Sequence, residues 1–287
     1  MSIPIKSDKH ASDALFRPQD FLRYLEKTGV PLSHRPAPDA VILCYQKSLF
    51  EYATAAFPTE RARGYFGQWI HYLDMDSSAS PDRFSVALAS NFGIGAPAAA
   101  VMLEELIAWG VTHFISMGTA GSLVEDLPPG SLVLCDRALR DEGTSHHYLP
   151  PQIPAVPDET LTALLQEELD ARGLSCRRGA TWTTDAIYRE TPAEVQHFRE
   201  QGALVVEMEA AALFSVAAYR GARIAACFTV SDTLAFLEWK PEFHAESTRE
   251  SLEALFRIAL SALRDSDSRL KGKSPSGKDG SPPARSP

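Results

Sequence analysis

Two carboxylates separated by one methionine lie where an apolar strand meets an alanine-rich helix: Glu207, Met208 and Glu209. Acidic residues in the first turn of a helix often do no more than complement its dipole. Here both neighbouring segments are hydrophobic, so we expect at least one carboxylate to face a cavity. Ionised carboxylates accept hydrogen bonds in pairs, which suits the vicinal hydroxyl groups of a sugar. The stretch predicts a site that binds the hydroxyl groups of a sugar, with a helix cap as the alternative.

A third carboxylate, Asp232, ends another apolar strand in the motif Thr-Val-Ser-Asp. A carboxyl group partly withdrawn from water at the edge of a strand acquires a raised pKa and can act as a general acid. An N-cap or a turn is the alternative role for an aspartate in this position.

Two small-residue motifs can bring backbone N–H groups close to an anion. Gly93 and Gly95 follow a strand and open a helix, whose N-terminus favours negative charge. Gly118 and Thr119 are expected in a turn at the carboxyl end of a strand, where open α/β sheets bind ligands. Neither motif has the third glycine of a dinucleotide fingerprint or the lysine of a Walker motif, and ordinary turns use the same glycines.

The histidines and cysteines predict no metal site. His146 and His147 stand together in a polar loop without further ligand spacing, which favours solvated surface. The four cysteines lie far apart, and three of them lie in apolar runs where a free cysteine behaves as a small hydrophobe.

Short apolar runs alternate with segments of helical periodicity along the chain. The predicted strands are 41–45, 69–74, 84–91, 113–117, 131–136, 175–181, 203–207 and 224–230. The predicted helices are 48–57, 97–109, 158–172, 192–201, 208–220 and 244–263. Several strands are apolar on both faces, as in VILCY and RIAACFTV, which is typical of a central sheet covered by helices on both sides. The pattern predicts a single α/β domain.

The composition is that of a globular protein, with 287 residues of which 45% are hydrophobic and 23% charged. The net charge is −9 although residues 268–287 hold five basic residues and one acid, so the rest of the chain is strongly acidic. Such a surface repels a phosphate backbone, and we expect a small-molecule partner rather than nucleic acid. No secretory signal and no run of the roughly 20 apolar residues that span a bilayer is visible, so we expect a cytoplasmic protein without a membrane partner.

Taken together, these segments resemble the nucleoside phosphorylase-I family, which includes purine nucleoside phosphorylases, uridine phosphorylases and adenosylhomocysteine-type nucleosidases. The resemblance rests on GIGAPAAAVMLEELIAWGV, GTAGSL, TTDAIY, VVEMEAAALFSVA and TVSD, in the family's order. It implies a single-domain α/β/α sandwich around a mixed, partly closed central sheet, assembled as a homodimer or a hexamer. On this basis residues 1–37 form an N-terminal extension, 38–264 the catalytic domain and 265–287 a disordered tail rich in Ser, Pro, Gly and Lys.

The resemblance also implies a role for each matching residue on the nucleoside side of the site. Glu209 would bind the ribose hydroxyls, Met208 would pack on the ribose, and Glu207 would shape the pocket. Ile187 and Tyr188 occupy the place where the base usually stacks.

For the reaction itself, the resemblance implies phosphate as co-substrate and no metal or organic cofactor. Thr119, with backbone N–H groups around Gly95 and Gly118, would bind the phosphate. Asp232 would hydrogen-bond or protonate a purine at N7, which makes the base a better leaving group. The products would be free base and ribose-1-phosphate, formed through an oxocarbenium-like state.

Two places in the expected phosphate site depart from the family pattern. The family's Gly-Asp-Pro with a nearby Arg is replaced by CYQKSL, from Cys44 to Leu49, and the Arg before the GTAG motif is Ser116. Arginine binds phosphate through two hydrogen bonds at once and is not readily replaced in this role. Lys47 would replace the missing arginine only as a flexible point charge. Water, activated by a carboxylate such as Glu51, therefore stays open as the nucleophile.

The substrate's base and sugar stay open as well. An acid at position 232 favours a purine, and the stretch 185–206 is too short for the Gln/Arg insertion of uridine phosphorylases. Arg189 and Gln196 in that stretch keep a pyrimidine nucleoside open. Ribose and deoxyribose are not distinguished, and a catalytically inactive nucleoside-binding protein is a further alternative.

Overall fold

The computed structural model describes residues 5–6, 8–74 and 84–271, with residues 267–271 described by their backbone alone. The strands within these ranges are β1 (Ala40–Cys44), β2 (Thr59–Arg61), β3 (Ile70–Leu73), β4 (Val86–Ala89), β5 (His113–Ser122), β6 (Leu132–Asp141), β7 (Cys176–Thr184), β8 (Ala203–Glu207), β9 (Arg223–Thr233) and β10 (Lys240–Pro241). The helices are α1 (Pro18–Lys27), α2 (Lys47–Ala56), α3 (Ala96–Trp109), α4 (Glu159–Ala171), α5 (Pro192–Glu200), α6 (Ala210–Arg220) and α7 (Glu246–Lys271).

One mixed sheet contains these strands in the order β10-β9-β6-β7-β8-β5-β1-β4-β3-β2. β5 also pairs with β9, so that β5, β9, β6, β7 and β8 form a closed ring. Within the ring β5 runs parallel to β9 and antiparallel to β8. The predicted fold, a helix-covered mixed sheet that is partly closed, is confirmed.

Alternating strand residues divide the core into two layers, one on each face of the sheet. In β1, Val41 and Leu43 pack into the layer that contains the apolar faces of α3 and α6. Ile42 and Cys44 pack into the opposite layer, which contains those of α2, α4 and α7. Every residue of β1 is buried, which explains why this strand is apolar on both faces.

Two strands near the predicted site are longer than the sequence indicated. β5 continues through the GTAGS motif to Ser122, where we predicted a turn. β9 continues to Thr233, so Asp232 lies within the strand and pairs with Gly121 of β5. A Cβ atom on Gly121 would lie 2.9 Å from Leu234 Cδ1 and 3.1 Å from Asp232 Oδ2. The glycine therefore serves close packing beside the strand, rather than a turn.

Both regions outside the predicted catalytic domain contain helix. α1, within the predicted N-terminal extension, packs on the same core layer as α3 through Phe21, Leu22 and Leu25. α7 continues through residues 265–271, which the sequence assigned to the tail, and the tail residues 272–287 lie outside the described residues.

No helix in the part of the chain that the structure describes is both long and apolar enough to cross a bilayer. The four cysteines are free, and three of them are buried. Burial raises the pKa of Cys44 to about 12, so this thiol stays protonated and packs as a small hydrophobe.

Candidate active site

A cavity of about 500 Å³ opens beside the second half of β5 and the N-terminal end of α6. Eight of the residues predicted to bind substrate line it: Gly118, Thr119, Ile187, Tyr188, Glu207, Met208, Glu209 and Asp232. Gly95 lies behind Glu209, to which its backbone N–H donates. The structure thus brings segments that are distant in the sequence to one place.

Glu207 caps the N-terminus of α6 from inside the protein. Its carboxylate accepts hydrogen bonds from the backbone N–H groups of Glu209 and Ala210, both at 2.7 Å. It also accepts from the hydroxyls of Thr181 and Thr183, at 3.3 and 2.5 Å. Burial raises the pKa of Glu207, whereas these hydrogen bonds lower it, and the effect of burial is the larger one. The acceptor capacity of Glu207 is directed largely into the protein, which is the capping role that the sequence left open.

Glu209 is the N-cap residue of α6 and is only 8% exposed. Its Oε1 accepts a 2.6 Å hydrogen bond from the backbone N–H of Gly95, so the carboxyl group links the N-termini of α3 and α6. Burial, and then the charge of Glu207, raise the pKa of Glu209 to about 8. Burial and the neighbouring Glu207 thus favour the protonated form of Glu209, which can donate as well as accept hydrogen bonds.

Neutral side chains occupy the end of the cavity that was expected to hold phosphate. The Tyr45 hydroxyl lies 3.1 Å from Ser116 Oγ, and the Gln46 amide donates to Thr119 Oγ1 at 3.0 Å. A Cβ atom on Gly118 would lie 3.2 Å from the Tyr45 ring, so a side chain there would crowd this cluster. Burial, followed by the charge of Glu209, raises the pKa of Tyr45 well above its usual value, which keeps the hydroxyl protonated.

No lysine or arginine belongs to the cavity wall within the described ranges. Lys47 and Glu51, which the sequence suggested as a substitute cation and a water-activating base, pair with each other at 3.2 Å on the exposed side of α2. Four acidic residues line the cavity: Glu190, Glu207, Glu209 and Asp232. A wall with acidic residues and no described lysine or arginine does not favour the binding of an anion.

Asp232 also lines the cavity and accepts two hydrogen bonds. The Ser231 hydroxyl donates to Oδ1 at 2.7 Å, and the indole N–H of Trp239 donates to Oδ2 at 2.9 Å. Trp239 lies between β9 and β10, is 62% exposed and lines the cavity. The sequence did not indicate Trp239, because a single tryptophan in a connecting segment matches no motif.

Glu190 is a second cavity residue that sequence reasoning missed. It follows the 3-10 turn Ile187–Arg189 and is half-buried. Its carboxyl group has no hydrogen bond or ion pair with the other residues that the structure describes. Burial, then the charges of Asp232 and Glu194, raise the pKa of Glu190 to about 7. Glu190 directly precedes Thr191, the N-cap residue of α5, and this position in the sequence gave no indication that it lines a cavity.

The residues that kept a pyrimidine open do not line the cavity. Arg189 and Gln196 are exposed to solvent. Tyr188, which lines the cavity with Ile187, is 94% exposed and Ile187 is 41% exposed, which places both at its mouth.

The prediction of a solvated histidine pair was wrong for His146. Ser145 and His146 are buried in a 3-10 turn, whose Ser145 backbone N–H donates to the carboxylate of Glu142 at 2.9–3.0 Å. Burial lowers the pKa of His146, whereas His147 remains exposed. Within the residues described, no group of three His, Cys, Asp or Glu residues is arranged to hold a metal ion.

Known proteins are similar to this chain in sequence and in fold. A guanosine phosphorylase from Halorubrum lacusprofundi is 34% identical over 191 residues, which cover 65% of this chain and 78% of the relative. A uridine phosphorylase from Treponema pallidum is 35% identical over 149 residues, which cover 48% of this chain and 58% of the relative. The structure of a purine nucleoside phosphorylase from Toxoplasma gondii in complex with immucillin-H superposes with a TM-score of 0.71 at 20% identity, over 82% of this chain and 93% of the other.

A family match lies within the catalytic domain that the sequence predicted at residues 38–264. Residues 84–264, which include β5, β9 and every predicted site residue, match the model of the phosphorylase superfamily. With this match over more than half of the chain, and with the relatives above, the protein belongs to the phosphorylase superfamily.

Proposed function

We propose that the protein cleaves the N-glycosidic bond of a purine nucleoside, with phosphate as the nucleophile, and releases the free base and a pentose 1-phosphate. The observation that carries this proposal is that Met208, Glu209 and Asp232, which come from separate segments of the chain, line one cavity. We assign Met208 and Glu209 to a sugar subsite and Asp232 to a base subsite of this cavity. The names of the relatives, a guanosine and a uridine phosphorylase, agree with this reaction class.

At the sugar subsite, Glu209 would bind the vicinal hydroxyls while Met208 packs against the ring. Positive charge develops on the sugar as the glycosidic bond breaks, and carboxylates fixed around it stabilise that charge without having to reorganise. Glu207 supports this arrangement because it holds the backbone N–H of Glu209 through a 2.7 Å hydrogen bond.

The nucleophile would enter beside Gly118, where the Thr119 hydroxyl and the Gln46 amide lie 3.0 Å apart. These groups, with the Tyr45 hydroxyl, can reorient to donate hydrogen bonds to phosphate oxygens. Hydrolysis is a second candidate function, favoured by the lack of lysine and arginine in the described cavity wall. Water carries no charge, so it does not need the cations that a phosphate dianion requires.

A base-release assay on a panel of purine and pyrimidine nucleosides, with and without phosphate, tests both candidates. We expect purine release that depends on phosphate, with ribose-1-phosphate detected as the second product. Equally fast release in phosphate-free buffer would instead establish hydrolysis. Binding of nucleosides without release of any base would contradict both functions and favour an inactive binding protein.

Two variants connect the assay to the cavity. Glu209→Ala should lower kcat/KM at least about 100-fold, since it removes the proposed sugar ligand. Glu51→Ala is a matched control, because this exposed carboxylate on α2 lies outside the cavity wall and pairs with Lys47. If Glu209→Ala retained the wild-type rate, the proposed sugar subsite would be wrong.

A further inference from the structure

Trp239 is the most exposed of the four tryptophans, yet it contacts a residue of the proposed base subsite. Its side chain is 62% exposed and lines the cavity. Its indole N–H donates a 2.9 Å hydrogen bond to Oδ2 of Asp232. A large aromatic side chain at the wall of a cavity, with its polar atom bound to a carboxyl group there, indicates a role at the site rather than in the core.

A hairpin holds Trp239 beside Asp232. β10 pairs antiparallel with β9, and Pro241 lies opposite Asp232. Trp239 precedes Pro241 by two residues, which is the spacing at which a side chain returns to the same face and reaches the diagonal partner across the pair. The turn that precedes Trp239 is closed by a hydrogen bond from the Leu237 N–H to the Leu234 carbonyl at 2.9 Å. Backbone pairing therefore places Trp239, in addition to its own side-chain contact.

The Asp232 carboxyl group is supported at both of its oxygens. The Ser231 hydroxyl donates to Oδ1 at 2.7 Å, and the Trp239 indole donates to Oδ2. Gly121 leaves the space in which Oδ2 lies, since a Cβ atom there would be 3.1 Å from this oxygen. A donor on one oxygen leaves the carboxyl group able to pivot, whereas donors on both oxygens fix its plane. Each oxygen keeps a further lone pair with which it can meet a ligand.

We propose that Trp239 is a positioning residue, whose indole N–H fixes the Asp232 carboxyl group in the orientation that meets the purine base. This inference rests on the proposed function, which assigns Asp232 to the base subsite. Trp239 would contribute to cleavage through Asp232, and the loss of its N–H would be felt at that carboxyl group.

The contribution of such a residue follows from the geometry of hydrogen bonds. A hydrogen bond between Asp232 and the departing base weakens steeply as its angle departs from linearity. A displacement of about 1 Å at a reacting group can lower a rate about 100-fold. Because Trp239 lies at the surface, removal of its N–H should disturb the orientation of Asp232 while the fold stays intact.

The variant Trp239→Phe keeps an aromatic ring and removes the N–H donor. We expect kcat/KM for guanosine to fall about 10-fold or more. Trp109→Phe is the matched control, because Trp109 stacks on Phe66 outside the cavity wall, and it should keep the wild-type kcat/KM. Thermal unfolding of each variant checks that it is folded.

A double-mutant cycle with Asp232→Ala separates positioning from direct contact with the base. If Trp239 acts through Asp232, adding Trp239→Phe to Asp232→Ala should change kcat/KM less than about 2-fold. Binding of hypoxanthine, a purine base, gives the same cycle without turnover when it is followed by calorimetry. Trp239→Phe should weaken this binding about 3-fold or more in the wild-type background, and leave it unchanged in the Asp232→Ala background.

Equal losses from Trp239→Phe in both backgrounds would show that this side chain acts on the substrate directly, and would overturn the positioning role. Wild-type kcat/KM in Trp239→Phe would overturn it as well. Either result leaves the proposed function standing, because base release by the wild-type protein decides that function. If the wild-type protein shows the coupling in hypoxanthine binding but cleaves no nucleoside, the positioning of Asp232 stands and the proposed function is wrong. If it neither cleaves guanosine nor binds hypoxanthine, both proposals are wrong.

Discussion

The buried carboxyl group of Glu209 should make the stability of the protein depend on pH. Glu209 is 8% exposed, accepts its hydrogen bond from the Gly95 backbone and adjoins the carboxylate of Glu207. No lysine or arginine in the described cavity wall compensates its charge. The variant Glu209→Gln keeps an oxygen for the Gly95 N–H and removes the titration.

The sign and size of the effect follow from the pKa of Glu209, which is about 8 in the folded protein against 4.5 ordinarily. Between these values the folded protein binds more protons than the unfolded chain, so the free energy of unfolding decreases as the pH rises. A difference of one unit in pKa corresponds to about 1.4 kcal/mol, so a loss on the order of a few kcal/mol is expected over this range, shared between Glu209 and the neighbouring Glu207. The stabilisation is complete below about pH 4.5 and lost as the pH rises through about 8.

Urea unfolding of the wild-type protein and Glu209→Gln at pH 5, 6, 7 and 8 measures this effect. We expect similar stabilities at pH 5 and a difference in favour of the variant that grows towards pH 8. Glu51→Gln, an exposed carboxylate in an ion pair on α2, should follow the wild-type curve at every pH. If Glu209→Gln loses stability in parallel with the wild-type protein, then Glu209 is not the buried, uncompensated acid that the geometry indicates.

Two predictions concern the scaffold, and thermal or urea unfolding checks both. Gly64→Ala should lower the free energy of unfolding at least about 2 kcal/mol more than Gly29→Ala does. Both glycines have φ near +80°, but of the two only Gly64 would bring a Cβ atom against a backbone carbonyl oxygen, at 2.2 Å. Equal losses of stability in the two variants would contradict this steric explanation. Glu104→Gln should cost about 3 kcal/mol, because it leaves the largely buried Arg220 guanidinium, now bound at 2.6 and 2.9 Å, without its charge partner. Glu246→Gln, in an exposed ion pair, should cost less than about 1 kcal/mol, and a similar cost for Glu104→Gln would refute the role of burial.

Elements with a strong apolar pattern could be predicted from the sequence. β1 is buried on both faces and appears in the sequence as a continuous apolar run, and α3 begins with Pro97 in its first turn and ends before Gly110. The carboxylates of the GluMetGlu motif were also placed correctly at the junction of β8 and α6. In these segments local preference and tertiary burial favour the same structure.

Tertiary contacts decided the features that the sequence did not reveal. Glycines indicated a turn after residue 117, but pairing with β9 extends β5 to Ser122. The sequence predicted that His146 is exposed, but it is buried in a turn whose Ser145 N–H donates a hydrogen bond to the Glu142 carboxylate. Glu190 and Trp239 come from connecting segments, whose position relative to a cavity depends on the whole fold rather than on local spacing.

The closed ring of strands has a consequence for how the chain is made. β9 pairs with β5 from His113↔Arg223 onward, more than one hundred residues apart in the sequence. During synthesis β5 leaves the ribosome long before β9, and its unpaired edge must stay protected until that strand arrives. Parallel pairing over such a distance is slow to form. Since β9 also carries Asp232, the cavity wall is complete only after this late segment of the chain has joined the sheet.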